Sequence, residues 1–185
     1  LDDEFEVIKI GKDIGVENYH PPKNVHGIIA NPVCTEFSTA KCFTHVGDIE
    51  KGMFLVNHCL RIIEEAQPKW WVIENPFNGR LKEILGKPKY VYQPWEYGIP
   101  WTKKTALWGE FESPKPIYKN WEDVPKNEKL YIRPGRLKPG LVYFHKSAVN
   151  LIPEMQWAKE SIKCDADIRS MCSRGFAEAF FQNNR

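Results

Sequence analysis

Several things are scarce in this chain, and each scarcity excludes something. No apolar run approaches the roughly 20 residues a membrane helix needs, and the first residues do not read as a signal peptide. Net charge is only +2, which permits nucleic-acid binding without arguing for it. The cysteines at 34, 42, 59, 164 and 172 form no C-x-x-C pair. An odd count without a framework predicts reduced thiols and a cytoplasmic setting. Cys42-x-x-His45 and His58-Cys59 come nearest to metal spacing, but no second ligand pair answers the first, so no metal site is expected. There is no internal repeat or low-complexity tract. No glycine precedes Gly11.

What remains is ordinary globular material. With 185 residues, 42% hydrophobic, the chain is long enough for one domain with a genuine core. Phe5-Glu6-Val7-Ile8-Lys9-Ile10 alternates and predicts a strand, followed by a turn at Gly11-Lys12-Asp13-Ile14-Gly15. Residues 25–30 predict a buried strand. From Asp48 to Ala66, Ile49, Met53, Val56, Leu60 and Ile63 step by four and three, the helix period, with Asp48 as N-cap and Pro68 beyond the end. Trp70-Trp71-Val72-Ile73-Glu74-Asn75-Pro76 predicts a second, fully buried strand whose polar residues come at its carboxyl end. A short helix over 79–86, strands at 90–92 and 105–108, and a helix capped by Ser173 follow. Alternating strands and helices predict a parallel α/β sheet, and in such sheets ligands bind beyond the carboxyl ends of the strands. Residues 31–38 and 74–76 both fall at that edge.

Residues 112–150 differ in composition. They hold five prolines, eight Lys/Arg and four Asp/Glu, with Trp121, Tyr131, Tyr143 and Phe144 interleaved. Two readings fit: a nucleic-acid surface, or a solvated excursion from the sheet.

Cys34 is the first candidate for chemistry. Cysteine is commonly an inert core residue. Here it follows a strand and a proline and stands among Thr35, Glu36 and Ser38, and a helix starting at this point would favour the thiolate. Glu74 is the second. A carboxyl directly after Trp-Trp-Val-Ile is costly to bury without a partner. It serves either a structural ion pair or a substrate. A thiol and a carboxyl at neighbouring strand ends suggest covalent catalysis on an electron-poor ring or carbonyl. A Cys–His hydrolase built on His26 competes, but no acid stands out to orient that histidine.

Pro32-Val33-Cys34-Thr35-Glu36-Phe37-Ser38 resembles the Pro-Pro-Cys-Gln-x-Phe-Ser motif of DNA (cytosine-5) methyltransferases. Glu74-Asn75-Pro76 resembles their Glu-Asn-Val motif, at the family's usual spacing. Tyr97-Gly98-Ile99-Pro100 resembles their Tyr-Gly-x-Pro, with Gly109 near the glycine that ends that motif. Gly11-Lys12-Asp13-Ile14 resembles their Gly-Asp-Ile segment. The likeness covers roughly residues 5–110, and its compact form is most similar to the small phage-associated branch.

The resemblance implies a Rossmann-like, mostly parallel methyltransferase sheet using S-adenosylmethionine, in a bacterial or phage-encoded protein that acts on double-stranded DNA. Residues 1–185 then form one catalytic domain, N-terminally incomplete, with 112–150 as a small target-recognition insertion. Cys34 adds to C6 of a cytosine flipped from the duplex, because the ring is inaccessible in the stack. Glu74 holds N3, and Lys103 takes a phosphate or the base carbonyl. Asp13 and Ile14 meet the cofactor's adenine, and Asn31 and Pro32 line the junction of cofactor and substrate.

Four departures accompany this. The family's Phe-x-Gly-x-Gly loop has no counterpart before Gly11. Val33 replaces a proline beside the nucleophile, freeing a backbone angle. Trp101-Thr102-Lys103-Lys104-Thr105 replaces Gln-x-Arg-x-Arg, and lysine does not reproduce arginine's planar fork. The usual C-terminal motif is not visible. Two alternatives stay open: an amino-methyltransferase of cytosine or adenine, suggested by Asn31-Pro32, and a catalytically inactive DNA-binding relative.

Overall fold

The structure, a computed structural model, describes residues 5–38 and 47–185. They form two compact units, one of residues 5–38, 47–91 and 105–111 with Asn184, the other of residues 92–104 and 112–183 with Arg185.

The first unit is built on a four-stranded sheet. Its strands are β1 (Gly27–Ala30), β2 (Trp70–Pro76), β3 (Tyr90–Tyr92) and β4 (Thr105–Glu110), in the order β1-β2-β4-β3. Helix α1 (Ile49–Ala66) joins β1 to β2, and α2 (Leu81–Leu85) lies between β2 and β3. With α1 as crossover, β1 and β2 run parallel, Gly27 opposite Trp70 and Ala30 opposite Ile73.

The expected mostly parallel sheet is corrected by β4. It runs antiparallel to β2, from Pro76 opposite Thr105 to Trp71 opposite Glu110. Residues 93–104, which lead into it, hold a 3-10 turn at Pro94–Tyr97 and no crossover helix. The sheet is mixed.

Helix α1 begins where the sequence places it. The Asp48 carboxylate accepts a hydrogen bond from the Lys51 amide (3.1 Å), and Gln67 ends the helix in the left-handed conformation. Its inner face sends Val56 and Ile63 into a core with Ala30, Phe37, Ile73, Leu81, Ala106 and Trp108. Val72, Ile73 and Asn75 of β2 are buried, but Trp70, Trp71, Glu74 and Pro76 are only half-buried, so this strand is less enclosed than its apolar run suggests. Cys59 packs against the same core, and burial raises its thiol pKa.

The expected strand over residues 5–10 does not form. That segment is irregular, and Val7 and Ile8 are exposed. Alternation specifies a strand only when a neighbouring strand pairs with it; here Phe5 meets the His26 ring at 5.4 Å between centres, but Glu6 to Lys9 are exposed.

The second unit is largely irregular. Short 3-10 segments of three to six residues alternate with loops, and α-helix is confined to α3 (Asp165–Ser170) and α4 (Arg174–Asn184). Prolines 114, 116, 125, 134 and 139 forbid longer ladders of hydrogen bonds. The unit still has its own core: Ile99, Trp101, Leu130, Leu141, Phe144 and Ile152 gather with residues on to Ile168. That core takes in more than the 112–150 excursion anticipated from composition. Ser173 does precede α4, but its hydroxyl is buried without a hydrogen-bond partner rather than capping the helix. Phe176 of α4 stacks on Tyr92 at 3.8 Å between ring centres.

Candidate active site

The segment after β1 turns sharply. Val33 adopts φ −55° and ψ 120°, and Cys34–Glu36 form one 3-10 turn. The amides of Phe37 and Ser38 both donate to the Cys34 carbonyl, at 3.0 and 2.9 Å. Cys34 therefore opens a tight turn, with its side chain half-buried. The turn is too short to sum a helix dipole at the thiol, so the helix anticipated at this point is absent.

Phe37 anchors the turn. Its ring is 0% exposed, and its carbonyl accepts from the Arg80 amide at 2.9 Å. Gly52 of α1 leaves the room: a Cβ there would lie 2.7 Å from the Phe37 Cζ. Glu36 fastens the other side, its carboxylate accepting from the Asp48 amide at 3.0 Å. One aromatic side chain and two backbone-directed hydrogen bonds thus hold the cysteine turn against both neighbouring helices.

Glu74 lies on β2, one residue beyond the Ile73–Ala30 pair, and so reaches the same carboxyl edge that Cys34 follows. Asn75 links the two strand ends. It is 1% exposed, and its Nδ2 donates to the Pro32 carbonyl at 3.0 Å. Its Oδ1 is buried with no hydrogen-bond partner. A buried orphan acceptor costs free energy, which the Nδ2 bond to Pro32 partly offsets. Parallel pairing brings Cys34 and Glu74 to one edge, and Asn75 fixes the backbone two residues before the thiol.

The other sequence candidates are spread more widely. Asn31 is exposed and Pro32 buried, both at the end of β1. Asp13 and Ile14 lie exposed on the turn that closes where the Gly15 amide donates to the Gly11 carbonyl (2.9 Å). Lys103 belongs to the second unit. Its ammonium donates to the Ser170 carbonyl at 3.2 Å, at the end of α3, where a cation is favoured.

Sequence reasoning passed over Arg61. From α1 its Nη2 donates to the carbonyls of Val16 and Tyr19, both at 2.9 Å, while its Nη1 meets Glu65 at 2.7 Å. This fork ties the segment that follows Asp13 and Ile14 to the helix. Arg61 holds the Glu65 carboxyl below its ordinary range, with His20 adding to the effect. The i,i+4 Arg–Glu pair was a visible signal, but it equally describes a solvated helix face.

Cys42 and His45 lie outside the described residues. Among the described residues no three or more His, Cys, Asp or Glu side chains gather as for a metal ion, and no helix is long and apolar enough to cross a membrane.

No family model matches the sequence. Against a probable DNA (cytosine-5)-methyltransferase of Frog virus 3 (isolate Goorha), the chain is 32% identical over 109 residues. It is a partial homologue of that protein. The match takes in 49% of each chain, so this chain spans about half the length of the relative. A strand–helix–strand unit with a cysteine turn at its carboxyl edge is in keeping with that likeness.

Proposed function

We propose that this chain is the catalytic part of a DNA (cytosine-5) methyltransferase that uses S-adenosylmethionine and acts through a covalent cysteine adduct. The observation that carries the reading is the shared carboxyl edge of β1 and β2. Cys34 follows one strand, Glu74 lies in the last three residues of the other, and Asn75 bonds the two ends together.

The chemistry requires both groups. The Cys34 thiolate adds to C6 of an extruded cytosine, forming an S–C6 bond and shifting electron density toward C5. Glu74, as a protonated carboxyl or through a shared proton, holds N3 and takes up the charge that develops there. C5 then carries the nucleophilic electron pair. Once C5 has bonded to the methyl group that the cofactor would supply, loss of the C5 proton to a base would expel the Cys34 thiolate and restore the ring. Phe37, buried beneath the turn, keeps the nucleophile from drifting as these bonds form and break.

The residues assigned to the cofactor suit its adenosine end. Asp13 offers an acceptor for an exocyclic amine, and Ile14, 45% exposed, offers an apolar surface for the ring. Exposed Asn31 adds an amide at the end of β1. When bound, the cofactor supplies an electrophilic methyl group. Lys103 is assigned to a phosphate of the DNA, for which it would leave the Ser170 carbonyl.

The reading is tested by incubating the protein with S-adenosylmethionine and duplex DNA containing 5-fluorocytosine, whose C5 cannot lose a proton. Mass spectrometry should find one DNA adduct, mapped to Cys34 and missing from Cys34→Ser. An adduct elsewhere, or none from a folded wild-type chain, overturns it. An amino-methyltransferase would instead keep measurable methyl transfer in Cys34→Ala.

A further inference from the structure

Residues 5–26 form neither helix nor strand. Without a ladder of backbone hydrogen bonds, such a segment keeps one conformation only where other groups fasten it. Its central turn is closed locally: the Gly15 amide donates to the Gly11 carbonyl at 2.9 Å, with Gly15 at φ +76°. A Cβ at Gly11 would lie 2.8 Å from Asp13 Oδ1, so the carboxylate lies back over that glycine. The turn carries Asp13 and Ile14, both exposed. Local closure sets its shape and leaves its place in the fold to be set from outside.

Arg61 supplies that hold. Its Nη2 has two hydrogens, and two acceptors meet them, the carbonyls of Val16 and Tyr19 at 2.9 Å each. Nη1 donates to Glu65 Oε1 at 2.7 Å, and Glu65 Oε2 lies 2.9 Å from His20 Nδ1. A solvated helix-face pair would need Glu65 alone, whereas both carbonyls come from more than 40 residues away. One planar guanidinium spans all three partners, a geometry that a lysine ammonium does not reproduce. The other end of α1 is fixed to the cysteine turn. There the Asp48 amide donates to the Glu36 carboxylate at 3.0 Å, and Gly52 gives room to the Phe37 ring. About 20 Å of helix separates the two attachments, at 1.5 Å per residue. A single element therefore sets the Asp13 turn at a fixed offset from Cys34.

We propose that Arg61 is a positioning residue for cofactor binding. It touches neither cofactor nor cytosine, and it holds residues 11–19 on α1 so that Asp13 and Ile14 meet the adenosine end of S-adenosylmethionine. The inference rests on the cofactor contacts assigned above to Asp13 and Ile14, and extends them to a residue outside every motif.

Isothermal titration calorimetry of the whole chain with S-adenosylhomocysteine tests it and needs neither DNA nor turnover. The wild type should bind. Arg61→Ala should weaken binding about tenfold or more, because the turn must then be ordered as the ligand arrives. Methylguanidine at a non-denaturing concentration should restore part of the affinity by filling the vacated fork, and methylammonium should not. In hydrogen exchange, the amides of residues 11–20 should lose protection in Arg61→Ala, while those of α1 and β2 keep theirs. Unfolding curves establish that the variant folds. If it melts early, Arg61→Lys replaces it; the charge stays, the fork goes, and binding should still weaken.

Undiminished binding in a folded Arg61 variant overturns the proposal. Asp13→Ala then shows which reading failed: weakened binding there leaves the cofactor assignment standing, and undiminished binding removes it as well. Weakened binding with protection lost throughout α1 and β2 would mark a general loss of structure and likewise overturn the role given to Arg61. A wild-type chain that binds no S-adenosylhomocysteine overturns the cofactor assignment and this inference together.

Discussion

At the scale of single residues, the cysteine turn depends on two neighbours that touch no substrate. Val33 stands where the resembling family has proline, yet its φ of −55° is within the range a proline ring imposes. Its side chain is 54% exposed, so little packing would be lost. Val33→Pro should therefore stabilise the chain by about 0.4–1 kcal/mol, by narrowing the unfolded ensemble. A rise in the urea midpoint at constant slope checks it, and a fall would show that Pro32 cannot take the conformation a following proline demands. Asn75 is the reverse case. Asn75→Ala removes the bond to the Pro32 carbonyl from a buried site and should cost about 1–3 kcal/mol. Because the bond sits two residues before Cys34, the rate of adduct formation should fall further than the loss of folded protein explains. Single-turnover kinetics on the folded fraction measures the difference.

At the scale of elements, close approach and burial set the constraints. Gly109 in β4 has φ +141°, and a Cβ there would lie 2.1 Å from the Trp71 carbonyl oxygen. Gly109→Ala should thus break the β2–β4 ladder locally and lower stability, which hydrogen exchange would show as lost protection around Val72, its partner in register. Phe37→Ala empties the space beneath the cysteine turn and should cost about 3–5 kcal/mol. In α1, burial raises the Cys59 thiol above its ordinary value of 9.0. Above that value the unfolded chain releases a proton that the folded chain keeps. Stability should therefore fall as pH rises beyond about 9, and Cys59→Ala should flatten this decline in pH-dependent urea curves.

At the scale of the whole molecule, each unit has a core of its own, one around Ile73 and Phe37, the other around Trp101 and Ile152. In hydrogen exchange, Phe37→Ala should deprotect the β1–α1–β2 segments before those of residues 130–168. Equal deprotection of both would show that they open as one cooperative unit.

Much of the first unit was legible in the chain because its signals are local. The helical period over 49–66, the N-cap at Asp48 and the apolar runs before Cys34 and Glu74 depend on neighbours a few residues apart. The strand expected at residues 5–10 and the mostly parallel sheet failed for a common reason. Alternation and apolar runs report that a segment suits a sheet, not which partner it finds or in which direction it runs. The second unit was less legible still, since prolines and single turns leave no period to read, and its core is assembled from residues far apart in sequence.

By itself, then, the sequence determined the chemical identity of the edge: a thiol after one strand and a carboxyl at the end of the next, with α1 between them to make the strands parallel. Only the tertiary structure decided what fastens that edge and what else the chain offers. The Asn75 bond to Pro32, the room Gly52 leaves for Phe37 and the Arg61 fork all join residues many positions apart. Such contacts exist only once the backbone has closed the loops between them, and no local pattern encodes that closure.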